Sequence, residues 1–577
     1  MGQGSSLSRR EFLKTSFKLG STASTVTLGL SGCEPSPPLP SRASGGFIGP
    51  NFESGHRIKS ATSPTERVVS RQARVVIIGG GIAGLGAAWS LKKQGIDDFV
   101  VLELEKEAGG NSRAHQINNL ACPMGAHYLP VPINTRGSNE DPSDGLEPVR
   151  ALLAELELME FRSGRWQVSA QGERHLCHSP QERLFFRGAW HEGLLPLADV
   201  GESSLQAYRR FSDLIQGFQE RGGFQLPMGT AADAAITSTR LSERLDLDRV
   251  NFKTWLGQQG LDDPHLHWYL DYCCRDDYGS GMASVSAWAG VHYFASRHGF
   301  QAPGESAKED LTATSGVFTW PEGNGWLSKK IAATLGERLQ TERLAMHIKP
   351  KAKGLTVRAL NSDHVEQWDC QHCILALPLF ISQRLLAGSL DNQHTVSALQ
   401  ALGRQSEHSS WMVANAYLDR DLRDRGGAAP AWDNVIYGGQ GLGYVNAQHQ
   451  SLAQTNGPTV LTYYHALGEG CEARKQLLEQ PWQFWHTNVV KEFMSAHPDF
   501  PEHLKHLDIA RFGHAMAVPK PGWHSEPLRN ARAHLLNSRA PLSFAHSDLA
   551  GYSVFEEAFT LGVRAGQRAG RATQTES

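Results

Sequence analysis

The pattern of apolar positions is most informative from Arg74 to Ile78, a continuous run of the kind a strand buried on both faces requires. Gly79-Gly80-Gly81-Ile82-Ala83-Gly84 follows, and a helix is predicted from about Gly84 to Lys93. A second apolar run, Phe99–Leu102, ends at an acid, Glu103, 19 residues after Gly84. Strand, glycine turn, helix, strand and acid together describe a dinucleotide-binding unit. Taken as G-x-G-x-x-G, Gly79 permits the tight turn, Gly81 lets a pyrophosphate approach the backbone, and Gly84 lets the helix pack close to the strand. The phosphates would meet the free N–H groups and positive end of that helix, and Glu103 would accept hydrogen bonds from a ribose diol. A membrane span over Val75–Leu91 is excluded, because five glycines in 17 residues make a poor helix.

Elsewhere the periodicity is weaker. Leu152–Met159, Tyr208–Phe218 and Leu327–Leu339 have helical spacing, whereas Leu344–Ile348, Leu355–Val357 and Ser410–Leu418 read as strands. The stretch Tyr269–Tyr278 concentrates aromatics with acids; Asp276 and Asp277 could meet a cationic substrate, and the plainer reading is a solvated loop or helix cap. Composition settles the class: 40% hydrophobic residues, with 23 Phe, 14 Trp and 12 Tyr, provide a sizeable core. At about 150 residues per domain, 577 residues allow roughly four folding units, and discontinuous domains reduce that to two. With 56 basic against 59 acidic residues, nucleic acid is not an expected partner. Eight Cys are too few for a disulfide framework, and the lone C-x-x-C of Cys370 and Cys373 and the adjacent Cys273 and Cys274 read as buried thiols. The 25 His show no metal-ligand spacing, so no metal is expected.

The amino terminus reads as a targeting segment. Ser8-Arg9-Arg10-Glu11-Phe12-Leu13-Lys14 is similar to the twin-arginine export signal, and Leu30-Ser31-Gly32-Cys33 resembles a bacterial lipobox, whose Cys is acylated. Residues 1–33 are expected to be a signal peptide that engages the twin-arginine machinery. They place the protein in the periplasm or cell envelope, with Cys33 as a lipid anchor or with ordinary cleavage nearby. Residues 34–70, rich in Pro, Ser and Gly, read as a flexible linker.

After Glu103 the sequence Glu103–Arg113, Glu-Leu-Glu-Lys-Glu-Ala-Gly-Gly-Asn-Ser-Arg, resembles the E-x(5)-G-G-x-x-[RS] run of the flavin-containing amine oxidase and phytoene desaturase superfamily. Met124-Gly125-Ala126-His127-Tyr128 is similar to that superfamily's L-G-A-x-W segment beside the isoalloxazine. Trp320–Gly325, Cys373–Pro378 and Phe544-Ala545-His546-Ser547-Asp548 resemble its later motifs, the last with His546 in place of a glycine. The resemblance implies noncovalent FAD, since no Cys stands just before the terminal motif. It also implies a cofactor-binding set of Gly79, Gly81, Gly84, Glu103, Gly109, Gly110, Arg113, Gly125, Ala126 and Asp548. Asn111 stands where the family has Arg, and Arg113 is the candidate to replace it. A helix from about Val554 to Ala565 would aim its positive end at the flavin O2 carbonyl.

The expected fold class is α/β. A Rossmann-type FAD-binding domain would be assembled from residues 71–128, 316–378 and 541–577, and an α+β substrate domain from 129–315 and 379–540. The resemblance implies an FAD-dependent oxidoreductase, amine-oxidase-like, passing hydride from a C–N or C–C bond of a small substrate to flavin N5. Candidate catalytic residues are His127, Tyr128, Trp411 and Tyr552. The family's Lys near N5 has no counterpart in Ser410–Leu418, which leaves oxygen or a quinone as acceptor; Lys520 is an alternative cation. Two other readings stay open: a desaturase or isomerase acting on an apolar polyene or porphyrin-like substrate, and a non-catalytic FAD-binding envelope protein.

Overall fold

The computed structural model describes residues 43–59, 67–132, 146–228, 238–297, 299–304, 316–362, 364–388, 392–450, 457–538 and 541–574. The twin-arginine and lipobox residues, Cys33 included, lie outside these. Ser41–Ser577 forms one compact unit.

The apolar runs fold as their pattern requires. Val75–Ile78 and Phe99–Leu102, buried at every position, pair in parallel at the centre of a five-stranded sheet. Its order is Leu339–Gln340, Phe99–Leu102, Val75–Ile78, His372–Leu375, Leu542–Phe544, so three distant parts of the chain meet in one layer. On one face lie the helices Ile82–Lys93 and Phe555–Gln574, whose Ile82, Leu85, Phe559 and Val563 join Val75 and Ile77 in a core. On the other lie Leu379–Leu385, Gln393–Gln405 and Glu526–Leu536, packed against Val76 and Ile78. These last three helices lie within 379–540, and the helix Glu147–Glu155 lies within 129–315, yet its Val149, Leu152 and Leu153 also join the dinucleotide-side core. The expected domain limits therefore move. A doubly wound sheet needs apolar cover on both faces, and amphipathic helices supply it wherever in the chain they lie.

The second large layer is an eight-stranded sheet running Ser44–Ile48, Leu504–Val518, Glu407–Leu418, Thr459–Glu469, Tyr444–Asn446, Asp433–Ile436, Glu182–Phe186, Ala189–Glu192. The helices Glu202–Arg221, Phe252–Gln258, Pro264–Tyr278 and Ala287–Ala295 build a core of aromatics beside it, with Tyr208, Phe211, Phe252 and Tyr278 fully buried. A third sheet pairs Leu344–Pro350 with Leu355–Leu360, both expected as strands, and adds Val365–Cys370 and Val68–Gln72.

The linker expectation for 34–70 is corrected at its described residues, 43–59 and 67–70. Ser44–Ile48 is an edge strand, parallel to Leu504–Val518, and Phe52–His56 is helical. Gly45 shows why the segment lacks a hydrophobic signature: at φ +145° its Cα lies so close to Leu507 that a Cβ would meet the carbonyl oxygen at 1.9 Å. An edge strand held by backbone pairing at close quarters selects small residues, which composition alone reads as a tether.

Candidate active site

The chain turns sharply at Gly79, φ +99°, where a Cβ would strike Ala376 O at 2.4 Å. Two further glycines then have different tasks. A Cβ on Gly84 would lie 1.8 Å from Gly79 O, so Gly84 lets the helix approach the strand; one on Gly81 would meet nothing nearer than Gly110 Cα at 3.9 Å, so Gly81 leaves open room. That room is the start of a cavity of about 400 Å³ running between the two large sheets. Gly81 is also the N-cap of Ile82–Lys93 and has no side chain to satisfy the first N–H groups. Bare amides facing an open groove can receive a phosphate.

Glu103 borders the same cavity. Its Oε2 accepts from the Gly80 N–H at 2.6 Å and its Oε1 from the Glu105 N–H at 2.8 Å. Burial raises its carboxyl above the usual range, against the lowering pull of those two amides and of Arg113. Gly109, Gly110, Gly125, Ala126, His127, Tyr128 and Trp411 also line the cavity.

Four expected site residues do not. Gly84 acts in packing, the task expected of it. Arg113 turns to a second cavity, of about 560 Å³, with Nη1 3.1 Å from Glu105 Oε2 and Nε donating to Gly110 O at 3.1 Å. These contacts tie it to Glu105 and the Gly110 carbonyl. Asp548 is fully buried behind the wall and accepts from the Leu379 N–H at 2.9 Å, with His408 and His546 nitrogens at 3.0 and 3.1 Å. Burial pushes its carboxyl up, but the two imidazoles outweigh that and hold it well below the usual range. It positions His408 and His546, which do line the cavity. Tyr552 is likewise buried, with its hydroxyl donating to Glu557 Oε1 at 2.6 Å.

At the other end the wall becomes aromatic and acidic. His127 stacks on Tyr464, centroids 4.4 Å apart, and burial pushes its imidazole down to about 3, so it is neutral near pH 7. Burial holds the Tyr128 hydroxyl well above its ordinary value, and it bonds Asp276 as a neutral donor. Trp411 donates Nε1 to Ser409 Oγ at 3.0 Å. The helix Phe555–Gln574 starts at the cavity, at the expected place though longer than expected, and carries two acids, Glu556 and Glu557, in its first turn. Burial pushes Glu556 up to about 7, and burial together with Asp277 does the same to Asp276. Arg297, fully engaged by both oxygens of Asp277 at 2.9 and 3.1 Å, is the cation of this end. Lys520 does not line the cavity; its Nζ is 3.0 Å from Glu407 Oε1. Glu556, Arg297, His408 and Tyr464 were not found from the sequence. A lone residue on a long helix or strand carries no local signal, although Asp276 and Asp277 stood out among the aromatics of Tyr269–Tyr278.

The donor set fits FAD: open room and bare amides at Gly81, an acid at the second strand end, and a continuous groove from there to Tyr128.

Comparison with known proteins agrees with this geometry. The family model of an NAD(P)-binding Rossmann-like domain matches residues 77–138. A Baeyer-Villiger monooxygenase, peniC, of Penicillium patulum is 46% identical over 70 residues, which is 12% of this chain and 11% of that one. Amine oxidase [flavin-containing] B of Bos taurus is 22% identical over 325 residues, 55% of this chain and 52% of its own. The chain thus spans about half of that relative's length and a tenth of the other's. Among solved structures, putrescine oxidase bound to putrescine matches with a TM-score of 0.57 at 16% identity, covering 88% of this chain and 99% of that one. A fatty acid isomerase from P. acnes matches with a TM-score of 0.55 at 14% identity, covering 85% and 97%. The fold is shared with both.

Proposed function

We propose that this chain, which has the α/β fold of the flavin amine oxidases around a Rossmann-like dinucleotide-binding unit, is an FAD-dependent oxidoreductase that oxidises an amine. The observation that carries the reading is the single cavity that joins the phosphate site at Gly81 to a chamber walled by Tyr128, Trp411, Asp276 and Glu556. When bound, FAD supplies the redox step, taking hydride from the carbon next to nitrogen. The chain's residues do the rest. Gly81, Gly110 and the start of Ile82–Lys93 would hold the diphosphate, Glu103 would meet the ribose, and the aromatic walls would keep water from the reacting carbon. The reacting amine must be neutral to release hydride; carboxylates at the chamber end attract its ammonium form, whose proton passes to solvent before the neutral amine reaches the reacting position.

The acids favour an amine over the second reading. An apolar polyene laid against Glu556, a buried carboxyl that lines the cavity, would leave it without a partner, which costs several kcal/mol, although the isomerase has the same fold. Export through the twin-arginine route and anchorage at Cys33 form part of the proposal and rest on residues 8–14 and 30–33 alone. The test is an anaerobic titration of the yellow holoenzyme with amines and with apolar alkenes, following the flavin band. Bleaching by amines is expected. Bleaching by alkenes only would replace this reading with the desaturase one, and bleaching by neither would favour a binding protein.

A further inference from the structure

His546 stands where the resembled superfamily has a glycine, so the cavity wall gains an imidazole there. The residue follows the strand Leu542–Phe544 in extended backbone, φ -147°, and begins the turn Ser547–Leu549. Along the carboxyl edge of the dinucleotide sheet, Glu103 follows one strand and Gly79 follows its neighbour; His546 comes after the strand two places further on. Ligands of doubly wound sheets bind at that edge. A ribose at Glu103 and a diphosphate at Gly81 therefore leave the His546 side to the flavin half of the cofactor.

This imidazole is one of a pair. Asp548 Oδ1 lies 3.0 Å from His408 Nε2 and 3.1 Å from His546 Nδ1, while Oδ2 accepts from the Leu379 N–H at 2.9 Å. Asp548 is fully buried, and the two imidazoles hold its carboxyl well below the usual range, so it is an ionised group cut off from water. A buried carboxylate without a cation is costly, and one imidazolium balances it. His408, itself buried, is fixed as a donor, because a carboxylate oxygen can only accept. His546 has a second choice. The Asp548 N–H donates to its Nδ1, also at 3.1 Å. Without a proton Nδ1 accepts from that N–H; with one it donates to Oδ1, and neither state requires the ring to move. The His546 side chain is 23% exposed, so protons reach it from water.

Other charged and titratable groups surround the pair. His514 of Leu504–Val518 has its ring 5.9 Å from that of His408, and Arg474 of the helix Cys471–Glu479 donates to His408 O at 3.4 Å. Glu407 is paired with Lys520, and Glu556 lines the same cavity from the start of Phe555–Gln574.

We propose that His546 is the proton partner of the flavin, gaining a proton when bound FAD is reduced and releasing it when the cofactor is reoxidised. Hydride brings two electrons and one proton to the flavin and leaves the cofactor one unit more negative. A second proton passes from water to His546 Nδ1, where it is donated to Asp548 Oδ1 and offsets that charge. The site as a whole then takes up two electrons and two protons. Asp548 is the positioning residue, and His408 supplies the donor that keeps its carboxylate in place. The inference rests on bound FAD and not on the identity of the substrate, so failure of the amine reading leaves it standing.

The test is a redox titration of the FAD-loaded enzyme without substrate, with the midpoint potential read from the flavin absorbance at a series of pH values. For a two-electron couple, each tenfold change in proton concentration moves the potential by about 30 mV per proton taken up. Expected for the wild type is a slope of about 60 mV per pH unit within the range from about pH 6 to 9, where imidazoles titrate. The reduced flavin should keep the absorbance of its anion over that span, which shows that the second proton is not on the cofactor. In His546→Gly and in His546→Gln the slope should fall to about 30 mV, and Asp548→Asn, which retains both imidazoles, should lower it as well. A wild-type slope of about 30 mV throughout, or a slope of about 60 mV that survives both His546 variants, overturns the inference. If one variant does not hold FAD, the wild-type slope and the remaining variants decide.

Discussion

Gly81 and Gly84 lie three residues apart, and a side chain would act oppositely at the two. Gly81→Val should leave the melting temperature of the flavin-free protein nearly unchanged, since its Cβ has open space, but should lower FAD affinity at least about tenfold by filling the phosphate room. Gly84→Val should fail to fold, because its Cβ would overlap Gly79 O. Melting curves and flavin titration separate the two effects. Replacing Glu103 with Ala should weaken FAD binding by about 1.5 to 3 kcal/mol, the worth of a hydrogen bond to a charged group. Asp276 and Glu556 give a pH signature. Their carboxyls sit near 7 in the folded protein and near 4 in the unfolded chain, so folding binds protons between those values and stability falls as pH rises through that window. In Asp276→Asn and Glu556→Gln the fall should be smaller, with melting points about 1–3 °C above wild type at pH 8. A pH series of melting curves without ligand checks this. Of these residues the glycines and Glu103 were legible, because their spacing is local; Glu556 was not, because only the packing of a distant helix makes its position a site.

The two helices that flank the dinucleotide sheet cross at small residues. Gly562 faces Ala83 O, where a Cβ would stand 2.0 Å away, and Gly566 faces Ala87 O at 2.6 Å. This close crossing lets the starts of both helices open on one cavity, Gly81 from one and Val554–Glu556 from the other. Gly562→Leu should therefore cost both the fold and the flavin, seen as loss of the cooperative melt and of yellow protein. The edge strand Ser44–Ile48 is a separate matter. Gly45→Val should free it from Leu504–Val518, read as faster proteolysis within 43–59, because the side chain has nowhere to go beside Leu507. The periodic elements of the nucleotide unit were readable, since buried parallel strands need unbroken apolar runs. This edge strand was not, since it is held by backbone pairing and close fit, and neither leaves a hydrophobic pattern.

For the whole molecule, the balance of charge around the cavity bears on the electron acceptor. No Lys lines it among the described residues, and its Arg297 is tied to Asp277. Superoxide formed in a first electron transfer would find no free lysine or arginine to stabilise it. Reduced enzyme should thus react slowly with oxygen and at least about tenfold faster with a soluble quinone; stopped-flow reoxidation checks this, and equal rates would show the missing Lys to be irrelevant. At the outset of the chain, Arg9→Lys with Arg10→Lys should hold yellow protein inside the cell. The sequence by itself determined the dinucleotide unit, its helix and its acid, and with them the cofactor class, because each is fixed by neighbours within about thirty residues. Tertiary structure decided the rest. It drew Leu339–Gln340, His372–Leu375 and Leu542–Phe544 into one sheet, moved Asp548, Tyr552 and Arg113 out of the groove, and set Glu182 beside Asp433 across 251 positions of chain. Backbone pairing and burial bring such residues together, and neither is written in the identity of any one of them.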